Sequence, residues 1–290
     1  MKEYYVKGDT LPEAYHKALV KLDKKGEIVD CPDYDQLQKE CAMTIRVKNP
    51  TGEPRISKLV ICGPKELRQY ELEMLDGILD FIVGKGGTLW EYTYHQRYAP
   101  QLDFVINELK RELYSRRAIM SIRDFSVDSK NDHPACLQSI QYFVRGGKLD
   151  CFVLFRSNDL PEAFYMNAFA LIRLQEKIAA AVGVPVGTYS HRSNSMHAYE
   201  KNFGLIEGFV QKIKSSPVDE LVYDYEGFFK EMMEEYDPEI KEMVAQKRVQ
   251  YPEADTNTGE DTNLEEDTNP DEDTNLEEDT NLEEDTNPEA

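Results

Sequence analysis

The chain has 290 residues, 40% hydrophobic and 31% charged, the balance of an ordinary globular protein. Its formal charge of −21 is concentrated at one end: setting aside the 16 acids of residues 255–290 leaves about −5. That mild charge offers no basic face for a nucleic acid, no apolar run of about 18 residues spans a membrane, and Met1-Lys2-Glu3 opens no signal peptide.

Five cysteines, Cys31, Cys41, Cys62, Cys136 and Cys151, are odd in number and lack CxxC spacing. They suit a reducing cytoplasm, with neither a disulfide framework nor a metal site. In chain order, Thr10 to Leu22 predicts a short helix, because Thr10 and Glu13 have capping-box spacing and Ala14, Ala18, Leu19 and Leu22 share a face. Met43 to Val47 alternates like a strand and ends in the turn Asn49-Pro50-Thr51-Gly52. Arg55 follows a rigid Pro54, where it reads as a surface arginine or as one reaching an anion.

Lys65 to Val83 predicts a helix whose apolar stripe runs through Leu67, Tyr70, Met74, Leu75, Ile78 and Ile82. Glu71 falls inside that stripe and Glu73 points away. Glu71 is then either a carboxyl forced into an apolar interior, where it would hold a proton, or a helix-edge acid meeting solvent or an arginine. Trp90 to Arg97 is rich in aromatics and predicts an aromatic strand, against the core or beside a cleft. Gln101 to Tyr114 predicts an amphipathic helix, and Ala118 to Ile122 a strand, with Arg116-Arg117 at the junction. Adjacent guanidinium forks suit phosphate oxygens, although such pairs are often only solvated.

Leu137 to Val144 and Leu149 to Phe155 predict a hairpin turning at Arg145-Gly146-Gly147-Lys148. Cys136 opens the first strand and Arg156 closes the second. A free cysteine is commonly a buried apolar residue; nucleophilic use needs nearby positive charge, which Arg156 would supply. Ala163 to Ile172 is largely apolar with a single Asn167, a buried amide that either ties core elements together or faces a ligand. Glu226 to Tyr251 predicts a charged helix. From Asp255 the chain is six copies of a DTNxxE-like hexapeptide, with too little apolar surface to offset its ordering entropy. The sequence thus predicts a catalytic domain over 1–254 and a disordered acidic tail over 255–290.

The order Cys136 to Val144, Arg156-Ser157-Asn158-Asp159, Asn167 eleven residues after that arginine, and His197-Ala198-Tyr199 resembles thymidylate synthase and its relatives, the dCMP, CMP or dUMP hydroxymethylases. The resemblance covers about Arg55 to Gly208. It implies a single α/β (α+β) domain with a large mixed sheet flanked by helices, acting in the cytoplasm as a homodimer. It implies transfer of a one-carbon unit from the co-substrate 5,10-methylenetetrahydrofolate to C5 of a pyrimidine nucleoside monophosphate, by covalent addition of Cys136 to C6. By the same resemblance Arg156 and Ser157 hold the phosphate with Arg116 and Arg117 of a partner subunit, and Arg55 is a further binding candidate. Asn167 reads the base, His197 and Tyr199 hold the sugar, Asp159 engages the pterin, Glu71 moves protons and Tyr94 assists at C5.

Three positions depart from the pattern. Leu137 stands where the family has a histidine after the nucleophile, and Ser195 where it has an aspartate. The chain also continues past Glu226 instead of ending in a short apolar segment that closes over folate. Poor closure would let water replace hydride and give hydroxymethylation. The expectation is methylation of dUMP, with hydroxymethylation of CMP, dCMP or dUMP as the alternative and a non-catalytic nucleotide-binding regulator as the second.

Overall fold

The computed structural model describes residues 1–85 and 91–252. Trp90 and the predicted acidic tail, 255–290, lie outside the described residues. The strands are β1 (Glu3–Gly8), β2 (Glu27–Cys31), β3 (Gln36–Val47), β4 (Ile56–Ser57), β5 (Ile119–Ser121), β6 (Leu137–Arg145), β7 (Lys148–Asp159), β8 (Val186–Tyr199) and β9 (Val222–Tyr223). The helices are α1 (Leu11–Lys25), α2 (Pro64–Asp76), α3 (Tyr94–Arg111), the single turn α4 (Phe125–Asp128), α5 (Tyr165–Val182), α6 (Phe203–Ser215), α7 (Lys230–Glu234) and α8 (Asp237–Gln250).

Seven strands make one mixed sheet in the order β1-β3-β8-β7-β6-β5, with β2 pairing alongside β3. The β1/β3 and β7/β8 pairs are parallel and the others antiparallel. Register explains why one face is the core. Val6, Ile45, His191, Val153, Ile140 and Met120 stand side by side across six strands, and all are buried. One residue along, Tyr5, Thr44, Arg192, Leu154, Ser139 and Ser121 form a row that stays at least partly exposed. The buried face is covered by α1, which sets Ala14, Ala18, Leu19 and Leu22 against β1 and β3, and by α5. Helices α2 and α3 pack on α5 in turn, so α5 is apolar on nearly every side. This is the α/β fold with a large mixed sheet and flanking helices that the motif order implied.

The hairpin joining β6 and β7 forms as predicted, with Gly146 and Gly147 at φ of 56° and 75°, the left-handed pair a two-residue turn requires. Other boundaries move for local reasons. Thr10 is the N-cap of α1 but makes no side-chain bond, because Glu13 accepts the N–H of Asp9 instead. Helix α2 stops at Asp76, well short of Val83, where Gly77 takes a left-handed φ of 61°. The aromatic segment is not a strand: Thr93 caps the N–H of Gln96, and Tyr94 begins α3. That helix runs on through Pro100. The charged C-terminal segment opens with a turn over Tyr225–Phe229, with Gly227 at φ 92°, and then forms two helices, α7 and α8, parted at Glu235–Tyr236. No helix among the described residues is long and apolar enough to cross a membrane.

Candidate active site

Cys136 precedes β6, and its carbonyl accepts the N–H of Arg156 at 2.8 Å across the β6/β7 pair. Sheet pairing therefore brings the thiol and the guanidinium together. The register slips between Leu137 and Ser139, a bulge that bends the strand beside Cys136. The Arg156 side chain donates from Nε to the carbonyl of Ala135 (3.1 Å) and from Nη2 to that of Pro134 (2.6 Å). It thus braces the loop carrying Cys136 while keeping other N–H groups for a ligand. Burial pushes the Cys136 thiol up from its ordinary value, and the positive charge of Arg156 opposes that shift.

Both residues line a cavity of about 560 Å³ together with Ser157, Asp159, Asn167, His197, Tyr199 and Tyr94. Ser157 and His197 arrive side by side from the parallel strands β7 and β8, with Oγ and Nδ1 at 3.3 Å. Burial lowers the pKa of His197, which favours the neutral ring. The His197 ring meets Tyr199 edge-on at 4.9 Å between centroids. Asp159 caps the turn before α5, accepting the N–H of Glu162 on Oδ1 at 2.9 Å. Its Oδ2 is buried without a partner, and burial pushes the carboxyl up to about 7. Tyr94 accepts the N–H of Leu137 at 3.3 Å beside Cys136, and its hydroxyl also meets that of Tyr92; burial raises its pKa well above normal. Asn167 projects from α5, and its Oδ1 accepts the hydroxyl of Tyr70 from α2.

Four predicted site residues, Glu71, Arg55, Arg116 and Arg117, lie outside the lining of this cavity. Glu71 is 1% exposed, but its carboxylate lies between Arg68 and Arg173, each at 2.8 Å. The apolar stripe therefore does bury Glu71, but against two cations and away from the cavity. Glu73 is the acid of this helix that faces a cavity. It lines a second cavity of about 310 Å³ with Tyr70, Tyr92, Tyr94 and His133, two of which also line the first. Burial raises its pKa, which the hydrogen bond from Gln69 opposes. Arg55 is neither a surface residue nor a cavity residue. It is 7% exposed and pairs with Glu176 at 2.9 Å, with Glu53 and Glu226 nearby.

Arg116 and Arg117 are exposed and outside the lining of this cavity; Arg117 pairs with Glu108 at 2.8 Å. Residues that sequence reasoning missed are Glu73, Tyr92, His133 and, from the β2–β3 connection, Tyr34, whose ring meets Tyr199 at 5.0 Å. The one signal available for two cavity residues is that Tyr70 and Glu73 stand one helical turn apart and so share a face of α2.

Residues 65–253 match the family model for thymidylate synthase. A protein of Methanocaldococcus jannaschii named "Putative thymidylate synthase" is 33% identical over 212 residues, covering 70% of this chain and 95% of its own length. One of the same name from Methanothermobacter thermautotrophicus is 38% identical over 229 residues, covering 72% and 99%. The thermostable thymidylate synthase A of Bacillus subtilis superposes with a TM-score of 0.56 at 18% identity, over 70% of this chain and 84% of that one, a likeness of fold.

Proposed function

This chain belongs to the thymidylate synthase family, and we propose that it methylates C5 of dUMP with methylenetetrahydrofolate as the one-carbon donor. The observation that carries this reading is the shared cavity of Cys136 and Arg156, with a polar lining suited to base, sugar and phosphate. Cys136 would add to C6, and the ring would gain carbanion character at C5, which then attacks the one-carbon unit. Arg156 and Ser157 would hold the phosphate. The exposed Arg116 and Arg117 would serve the cavity of a second copy, since they do not reach their own. His197 and Tyr199 would meet the sugar and Asn167 the base. Asp159 fits the pterin, because it lines the cavity and keeps a proton below about pH 7. Tyr94 and the buried acid Glu73 would move protons at C5 and O4.

One observation favours hydroxymethylation as the second reading. Helix α8 is tied to α2 through Arg68–Asp237 and Lys65–Glu239, so Lys230–Glu234 and Asp237–Gln250 fold as helices on the flank of the domain. In the family pattern a short apolar end closes over folate and keeps water out. Turnover of dUMP, UMP, dCMP and CMP with the folate, read by product mass, separates the two outcomes. Dihydrofolate appears only with methylation. Release of tritium from C5-labelled dUMP by wild type and its loss in Cys136→Ser tests the covalent step. Release that persists in the variant sinks it.

A further inference from the structure

We propose that Tyr70 sets the base preference of this site by fixing which end of the Asn167 amide faces the base, an inference that rests on the pyrimidine-nucleotide reading above. A primary amide has a donor end and an acceptor end, and a half-turn exchanges them. Uracil presents a carbonyl acceptor at C4, and cytosine presents an amino donor. An asparagine free to turn serves either base, so discrimination needs a second group that pins the amide.

Tyr70 supplies it. Its hydroxyl donates to Oδ1 of Asn167, and that is its one hydrogen bond to a described residue. The hydroxyl is deeply buried, and its burial together with the nearby acidic groups Glu73, Tyr92 and Cys136 keeps its proton in place. Among the described residues no hydrogen bond joins the hydroxyl to the neighbouring acid Glu73, whose Oε1 is taken by Gln69 at 2.8 Å. Turning the amide over would set the Asn167 amino group against the Tyr70 hydroxyl and take from the buried phenol proton the acceptor it has in this structure, a cost of about tenfold or more in binding. Asn167 is itself 5% exposed and lines the Cys136 cavity, and its Nδ2 has no partner among the described residues. The donor end is therefore the free end. With the amide set against the C4 edge of the base, as the proposed function has it, that donor end meets the exocyclic group at C4. A carbonyl oxygen there completes a hydrogen bond; an amino group opposes donor to donor. Tyr70 is a positioning residue, acting on the base through Asn167.

The test is equilibrium binding of dUMP and dCMP to the full-length chain, by titration calorimetry, for wild type, Tyr70→Phe, Asn167→Ala and the double variant. Wild type is expected to favour dUMP by about tenfold or more, and Tyr70→Phe to narrow the ratio severalfold while melting as a folded protein. In the Asn167→Ala background the same change leaves the ratio where it is. A ratio unmoved by Tyr70→Phe, or a wild type that prefers dCMP, overturns the inference. Tritium release from C5 is read separately. If the ratio shifts as expected but wild type releases none, the catalytic reading fails and the inference stands; if wild type turns over and the ratio does not shift, the reverse holds. Binding of neither nucleotide overturns both.

Discussion

Asp159 shows how one side chain can be placed for function at the expense of stability. One of its oxygens caps the turn before α5, and the other is buried with no partner. Burial lifts its carboxyl from 3.8 to about 7. Between those values the unfolded chain has lost this proton and the folded chain keeps it, so the group weakens folding as pH rises from about 4 to 7 and adds nothing further above. Asp159→Asn removes the penalty. The variant is expected to be more stable than wild type at pH 8, by roughly 4 kcal/mol at the upper bound, with the gap closing by pH 4. Urea titrations at the two pH values decide it, and an equal gap at both would show that Asp159 ionises freely in the fold. The same desolvation sits on the Cys136 thiol, where only Arg156 opposes it. In the proposed reaction, activation of the sulfur would depend on one guanidinium.

Helix α2 presents three acids or phenols in four residues to two different environments. Tyr70 and Glu73 line the second cavity, whereas Glu71 turns to Arg68 and Arg173. These give opposite mutational signatures. Glu71→Ala leaves two arginines short of a buried counter-charge and is expected to cost about 3 kcal/mol of stability. Its folded fraction should turn over normally. Glu73→Gln is expected to leave stability near wild type, because it exchanges a desolvated acid for a neutral isostere, and to lower kcat by about a hundredfold or more. Denaturation curves set beside kcat for the two variants test the pair; the assignment reverses if Glu71→Ala is the stable, inactive one. The helix was legible in the sequence from its apolar period, but the role of each acid was not. Periodicity says which face is buried, and it does not say what the face meets: Arg173 comes from a helix about a hundred residues away. The paired strands were legible because two-residue alternation and a Gly-Gly turn are local signals. Aromatic Tyr92 to Tyr94 misled for the converse reason, since the cap at Thr93 overrode a strand-like composition.

Across the whole molecule, the order of motifs carried the site better than any single element, because the sheet converts separation in sequence into adjacency. Ser157 and His197 meet through β7 and β8, and Cys136 meets Arg156 through β6 and β7. The same sheet imposes a pH response. His191 lies in the buried row, stacked on Phe155 at 4.5 Å, with Nδ1 bonded to Tyr189 at 3.0 Å and Nε2 unpartnered. His16, on the buried side of α1, bonds Ser57 at 2.8 Å. Burial pushes these rings down to about 3 and about 4 from 6.5. Below pH 6.5 the unfolded chain takes up two protons that the folded chain refuses, so both groups cost stability as pH falls toward 4. They act against Asp159 and, being two groups, outweigh it. The melting temperature is therefore expected to fall from pH 7 to pH 4.5. His191→Phe keeps the stacked ring and removes the unpaired nitrogen, so its melting temperature should fall less steeply over that interval. Parallel slopes for variant and wild type would mean that the buried row takes no part in acid unfolding.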